Sequence, residues 1–77
     1  MKKSEIKIGA VYSNGRGRER KVIDRGDYPL YAGQGDHDCI LYEIVKDGSK
    51  KNLSAGQRGN MTATSFANWV KEEVEDV

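Results

Sequence analysis

The sequence predicts a mainly β (α+β) protein: a small curled antiparallel sheet of about five strands with one C-terminal helix. Three observations carry this. Nine glycines and one proline cut the chain into short pieces, the spacing of strands joined by turns. Those pieces centre on β-branched and aromatic residues, as in Val11-Tyr12, Val22-Ile23 and Cys39 to Val45. Only the C-terminus changes period: Phe66, Trp69, Val70 and Val74 fall at i, i+3, i+4 and i+8, a helical stripe.

The first strand is expected from Ile8 to Ser13. Asn14-Gly15 follows, a dipeptide that takes positive φ easily and marks a hairpin. The hairpin loop extends through Arg16-Gly17-Arg18, and a second strand runs from Glu19 to Arg25. After a turn at Asp24 to Asp27, a third short strand covers Tyr28 to Ala32; Pro29 lacks an N–H, so this strand starts there or lies on an edge. Gly33 to Asp38 is a polar loop. Cys39 to Val45 is the strongest strand, with Ile40, Tyr42 and Ile44 on one face and Cys39, Leu41 and Val45 on the other. Apolar residues on both faces make it central. Lys46-Asp47-Gly48-Ser49 turns the chain, and residues 50–63 give a loop and one short strand near Asn60 to Ala63. Thr64 or Ser65 caps the helix. Its acidic C-terminal end opposes the macrodipole, so fraying is expected beyond Val74. The expected core is Ile8, Val11, Val22, Leu30, Ile40, Tyr42, Ile44, Phe66, Trp69 and Val70.

A chain of 77 residues has room for one small domain, here 1–77 with 1–5 and 75–77 frayed. Apolar runs such as Ile40-Leu41-Tyr42 are far short of the roughly 18 residues of a membrane span. A single cysteine, Cys39, gives neither a disulfide framework nor a cysteine-rich zinc site. No apolar stretch follows Met1-Lys2-Lys3-Ser4-Glu5, so no secretory signal is expected and the cytoplasm is the expected location. The net charge of +1 hides a polarity. Residues 1–25 hold eight basic against three acidic residues, and residues 71–77 one against four. Two partner surfaces, one intramolecular pairing, or plain solvated surface would each produce this.

Chemistry-bearing residues are few. Asp36-His37-Asp38-Cys39 has the residue types of a metal or nucleophile site. In an extended chain, however, His37 and Cys39 lie about 7 Å apart, and no second histidine or cysteine exists. No catalytic residue, metal or cofactor is assigned. Asn14-Gly15-Arg16-Gly17-Arg18 resembles a phosphate loop only in its glycines, since it lacks the following helix and lysine. It remains a basic hairpin loop able to meet an anionic surface. If Val11 and Leu30 are buried, the alternating Tyr12 and Tyr31 point outward beside that loop. The candidate partner-binding set is therefore Arg16, Arg18, Arg20, Lys21, Tyr12 and Tyr31. Arg25-Gly26-Asp27 and the sequons at Asn52 and Asn60 are chance matches in a cytosolic chain.

Gly9-Ala10-Val11-Tyr12, Arg20-Lys21-Val22-Ile23 and Ser65-Phe66-Ala67-Asn68-Trp69, in that order, resemble small phage and prophage proteins of similar length. That resemblance implies an SH3-like barrel or related curled sheet and an origin in a mobile element. It also implies, for the class, a role as inhibitor or modulator of host machinery. It carries over no functional residue. Together these readings predict a non-enzymatic binding domain, a monomer or weak homo-oligomer without membrane association. It would dock on a larger host or phage protein or nucleoprotein complex; direct nucleic-acid binding by the same face is the alternative. A virion component or assembly factor is a further option.

Overall fold

The structure, a computed structural model, describes residues 1–28 and 37–75, with only the backbone of Glu75. Five strands and one helix follow a 3-10 turn at Lys3–Glu5: β1 (Val11–Ser13), β2 (Arg18–Gly26), β3 (Cys39–Asp47), β4 (Arg58–Thr62), α1 (Ala63–Trp69) and β5 (Glu72–Glu75). The strands form one antiparallel sheet in the order β4-β3-β2-β1-β5. The first four make a meander, and β5 returns to pair with β1. The sheet is open, with β4 and β5 as its edges. The expected strand at Tyr28 to Ala32 and the expected core residue Leu30 fall, beyond Tyr28, outside the described residues.

Three register shifts set the faces of the sheet. Ile23 in β2, Val45 in β3 and Val74 in β5 each stand as the extra residue between consecutive cross-strand pairs. Such bulges change the phase of alternation and increase the local twist. Val22 and Arg25 therefore pair with Tyr42 and Ile40 on one face, despite being three residues apart.

That face carries the helix. Tyr12, Val22, Ile40, Ala63, Phe66, Ala67 and Val70 form the core with Ile6 and Ala10. Phe66 stands edge-on to Tyr12 (centroids 5.8 Å, planes at 84°) and lies 5.7 Å from Trp69. The buried Tyr12 hydroxyl accepts from the Lys7 amide at 2.9 Å and donates to the Glu5 carbonyl at 3.3 Å. Burying the ring therefore leaves no polar group unmet.

Several expectations are corrected. Tyr12 is fully buried rather than outward-facing, although its neighbour Val11 is buried as expected, at 6% exposure. β1 is flanked by β2 and β5, and all three of its residues are buried, so alternation does not sort these two residues. Ile8 is 56% exposed, and Ile6 takes its place in the core. Gly9, at φ 92°, turns the chain just before β1. Residues 1–5 are docked: the Met1 nitrogen donates to the Ala67 carbonyl at 3.1 Å, and Arg25 Nη1 donates to the Lys3 carbonyl at 2.7 Å.

The helix starts earlier and ends sooner than its apolar stripe suggests. Thr62, not Thr64 or Ser65, is the cap; its Oγ1 accepts from the Ser65 amide at 3.1 Å. Val70 is already extended, and the Lys71 amide donates to the Ser13 carbonyl at 2.7 Å. Glu72 and Glu73 would sit badly at a helix C-terminus. The free edge of β1 offers them a strand instead, so Val74 belongs to β5.

Candidate functional site

In an antiparallel meander, alternate turns lie at the same end of the sheet. The β1–β2 hairpin and the β3–β4 connection therefore come together, and the start of β5 joins them through the Ser13 and Glu72 pairing. The hairpin tip is built by Asn14. Its side-chain oxygen accepts from the amides of Arg16 at 2.8 Å and Arg18 at 3.2 Å, while Gly15 and Gly17 take φ of 76° and 87°. These values favour glycine at both positions. A Cβ on Gly17 would lie 3.7 Å from the Gly48 backbone, and one on Gly15 would lie 3.3 Å from Lys71 Cγ. Three chain segments thus meet at one end.

That end carries Arg16, Arg18, Lys46, Lys50, Lys51 and Lys71, all exposed, against Glu19, Asp47 and Glu72. Two of the three acids are engaged. Glu19 Oε2 lies 3.4 Å from Lys46 Nζ. Asp47 Oδ1 accepts from the Ser49 amide at 2.8 Å and hydroxyl at 2.6 Å, and Oδ2 accepts from the Ser54 amide at 2.9 Å. The Ser49 hydroxyl bond and these amide bonds hold the Asp47 carboxyl down at about 2. Asn52, at φ 50°, completes the loop: Oδ1 accepts from the Asp47 amide and Nδ2 donates to the Val45 carbonyl.

Arg18 and Arg20 line an open depression of about 200 Å³ with Ile44, Asp47 and Ser54. The bulge at Val45 is what lets Ile44 and Asp47 share it, since residues three apart in a regular strand face opposite ways. Arg20 is held far more firmly than Arg16 or Arg18. Its guanidinium carbon lies 4.3 Å from the Tyr42 ring centroid and 4.4 Å from that of Trp69. Its Nη1 donates to Met61 Sδ at 3.4 Å. Burial lowers its pKa; Tyr42 offsets part of that, and the like charge of Arg18 adds to it. Guanidinium pKa values start so high that Arg20 remains charged.

Tyr42 reaches this position because its cross-strand partner is Gly59. A Cβ there would stand 2.8 Å from the Tyr42 hydroxyl and 3.1 Å from Cζ. The ring lies across bare backbone.

Of the six candidate residues, the structure brings together Arg16, Arg18 and Arg20. Lys21 alternates to the other face, paired with Val11 and Glu43, so it is not beside Arg20. Tyr12 is core, and Tyr31 lies outside the described residues. Sequence reasoning missed Lys50, Lys51 and Lys71 at the same end, and Tyr42 and Trp69 around Arg20. The lysines were hidden by two expectations: a strand at Tyr28 to Ala32 puts the turn after Val45 at the opposite end of a meander from the hairpin tip, and a helix running on to Val74 takes in Lys71. The stack was hidden because Trp69 is 49 positions from Arg20.

At the opposite end, Arg25 Nε and Nη2 grip Asp38 at 2.8 and 3.0 Å, and His37 Nδ1 lies 2.9 Å from Asp27 Oδ2. Cys39 is fully buried. Among the described residues, no group of three or more His, Cys, Asp or Glu side chains is placed to hold a metal ion. No helix among them is long and apolar enough to cross a membrane.

No known protein family, curated protein sequence or solved structure matches this chain.

Proposed function

We propose that this protein is a non-enzymatic binding domain that docks, by the loop end of its sheet, on an anionic surface of a larger protein or nucleoprotein complex. The convergence of Arg16 and Arg18 with Lys50, Lys51 and Lys71 supports this reading. Three separate chain segments supply cations to one end, where six basic residues stand against three acidic ones. Binding of this kind needs a fixed arrangement of charge rather than reactive groups, and the bonded Asn14 and Asp47 turns provide it. The phage-type resemblance of the strand and helix motifs favours a host component as the partner and an inhibitory or modulating role.

Direct nucleic-acid binding is the second reading, favoured by the same cations. The two differ in salt dependence, which is steep where phosphates are contacted. Amide shifts of the labelled protein are recorded against a mixed-sequence duplex and a single strand, at low and physiological salt. A photo-crosslinking residue at Lys50 is compared with one at Lys2, at the other end of the sheet. Protein docking predicts few oligonucleotide shifts and capture of one discrete product from Lys50 only. Equal capture from both positions overturns it. Salt-sensitive shifts over residues 14–18 and 48–51 move the reading to nucleic acid.

A further inference from the structure

Arg20 is an unusual arginine. A half-buried guanidinium normally faces a carboxylate, because removing a charge from water is costly unless it is paired. Among the described residues, Arg20 makes no ion pair, and its single hydrogen bond goes to the Met61 sulfur, a weak acceptor. The neighbouring charge is another cation, Arg18. Asp47 lines the same depression but bonds to Ser49 and Ser54, and it forms no ion pair with either arginine. The Tyr42 and Trp69 rings restrict the guanidinium without consuming its N–H donors, which lie on its edge rather than its faces.

We propose that the depression beside Arg20 is a receptor for one carboxylate side chain, an Asp or Glu of an acidic segment on a protein partner. This rests on the docking reading above and names the chemistry at its centre. A planar fork of donors matches a carboxylate in bidentate fashion. The rings restrict the guanidinium in advance, so little side-chain freedom remains to be lost on binding. Ile44 supplies an apolar wall for the ligand's methylene groups. Arg18, exposed and without an ion pair among the described residues, adds a second cation at the rim. Asp47 in the same depression opposes any anion there, and it opposes a phosphodiester backbone, which brings a row of charges past it, more than a single carboxylate. A single carboxylate can seat against Arg20 alone.

The test uses the full chain, ¹⁵N-labelled, and reads the arginine Nε–Hε resonances and backbone amides. The probes are a capped hexaglutamate peptide, a capped hexaglutamine peptide, inorganic phosphate and a mixed-sequence single strand. Hexaglutamate should shift the Arg20 Nε–Hε signal and the Ser54 amide, and hexaglutamine should leave both in place. Arg20→Lys keeps the charge but loses the fork and the stack, so it should weaken hexaglutamate binding roughly tenfold or more. The wild-type Arg20 signal decides the question even if that variant folds poorly. If hexaglutamate shifts only residues 14–18 and 48–51, with Arg20 unmoved and Arg20→Lys binding equally well, docking stands and the carboxylate receptor fails. If no probe shifts that end, both fail. If phosphate or the single strand moves Arg20 and hexaglutamate does not, the site is a phosphate site and the proposal is overturned.

Discussion

An alanine at position 59 would set its Cβ 2.8 Å from the Tyr42 hydroxyl and 3.1 Å from Cζ. The ring cannot simply step aside. It lies against Phe66 at 6.5 Å between centroids and carries Arg20 at 4.3 Å. Overpacking of this kind costs about 1–3 kcal/mol. Disturbing the cation–π stack adds about 0.5–1 kcal/mol. Against this, alanine loses less backbone freedom than glycine on folding, which returns roughly 0.5–1 kcal/mol. The net loss is about 2 kcal/mol, or a melting point lower by about 8–16 °C for a domain of this size. Circular dichroism melts and urea titrations of wild type and Gly59→Ala measure it. Tyr42→Phe removes the atom at 2.8 Å and leaves the 3.1 Å contact, so the double variant should recover roughly 1 kcal/mol of coupling. A Gly59→Ala protein that melts within 2 °C of wild type, or above it, would refute the claim that this strand pair was built for a bare backbone.

Phe66→Ala removes the fully buried ring shared by Tyr12, Tyr42 and Trp69. It should cost about 3–5 kcal/mol. That is much of the roughly 4–12 kcal/mol a domain of this length holds, so its amide spectrum should collapse or broaden; a dispersed wild-type-like spectrum contradicts the core. Asp47 titrates at about 2, below its ordinary 3.8, so its bonds stabilise the fold fully above 3.8. That contribution fades as pH falls from 3.8 towards 2. A carboxyl-carbon titration checks this, and a midpoint near 3.8 would show that the Ser49 and Ser54 bonds do not persist in solution. Cys39 is fully buried, so a thiol reagent should label the native protein on the order of a hundredfold more slowly than the denatured one. Equal rates would place Cys39 at the surface.

The strand at Ile40 to Val45 was legible because a long run of strand-forming residues needs little help from context, and the one centred on Val22-Ile23 because a β-branched pair stands between two turn signals. The small elements were less so. β1 is three residues long, and its neighbours on both sides of the sheet decide its burial, not its own alternation. The helix was found through Phe66 and Trp69, but its buried stripe runs through Ala63 and Ala67, small residues that a search for large apolar side chains passes over. Val74 kept the helical spacing by coincidence; the open edge of β1 claimed that segment for β5, a competition no local pattern records. For the site, the basic hairpin was visible as a string of arginines and glycines. What distinguishes Arg20 from Arg16 is a contact across the fold to Trp69, which sequence distance conceals.

The three bulges have a consequence for chain length. Ile23, Val45 and Val74 each fall between two cross-strand pairs that would become consecutive if the residue were deleted. Removing Ile23, for instance, joins the Val22 and Tyr42 pair directly to the Asp24 and Leu41 pair, with every later partner unchanged. These are points where a residue can leave without side chains changing faces, in contrast to an ordinary strand position, where one deletion inverts everything beyond it. What such a deletion removes is torsion: the extra twist of the bulge would relax, and the loop end would rotate relative to the helix. Of the three, Val45 lies between the Arg20 and Ile44 pair and the loop end, so the placement of the loop-end cations relative to Arg20 depends on an aliphatic residue that carries no charge itself.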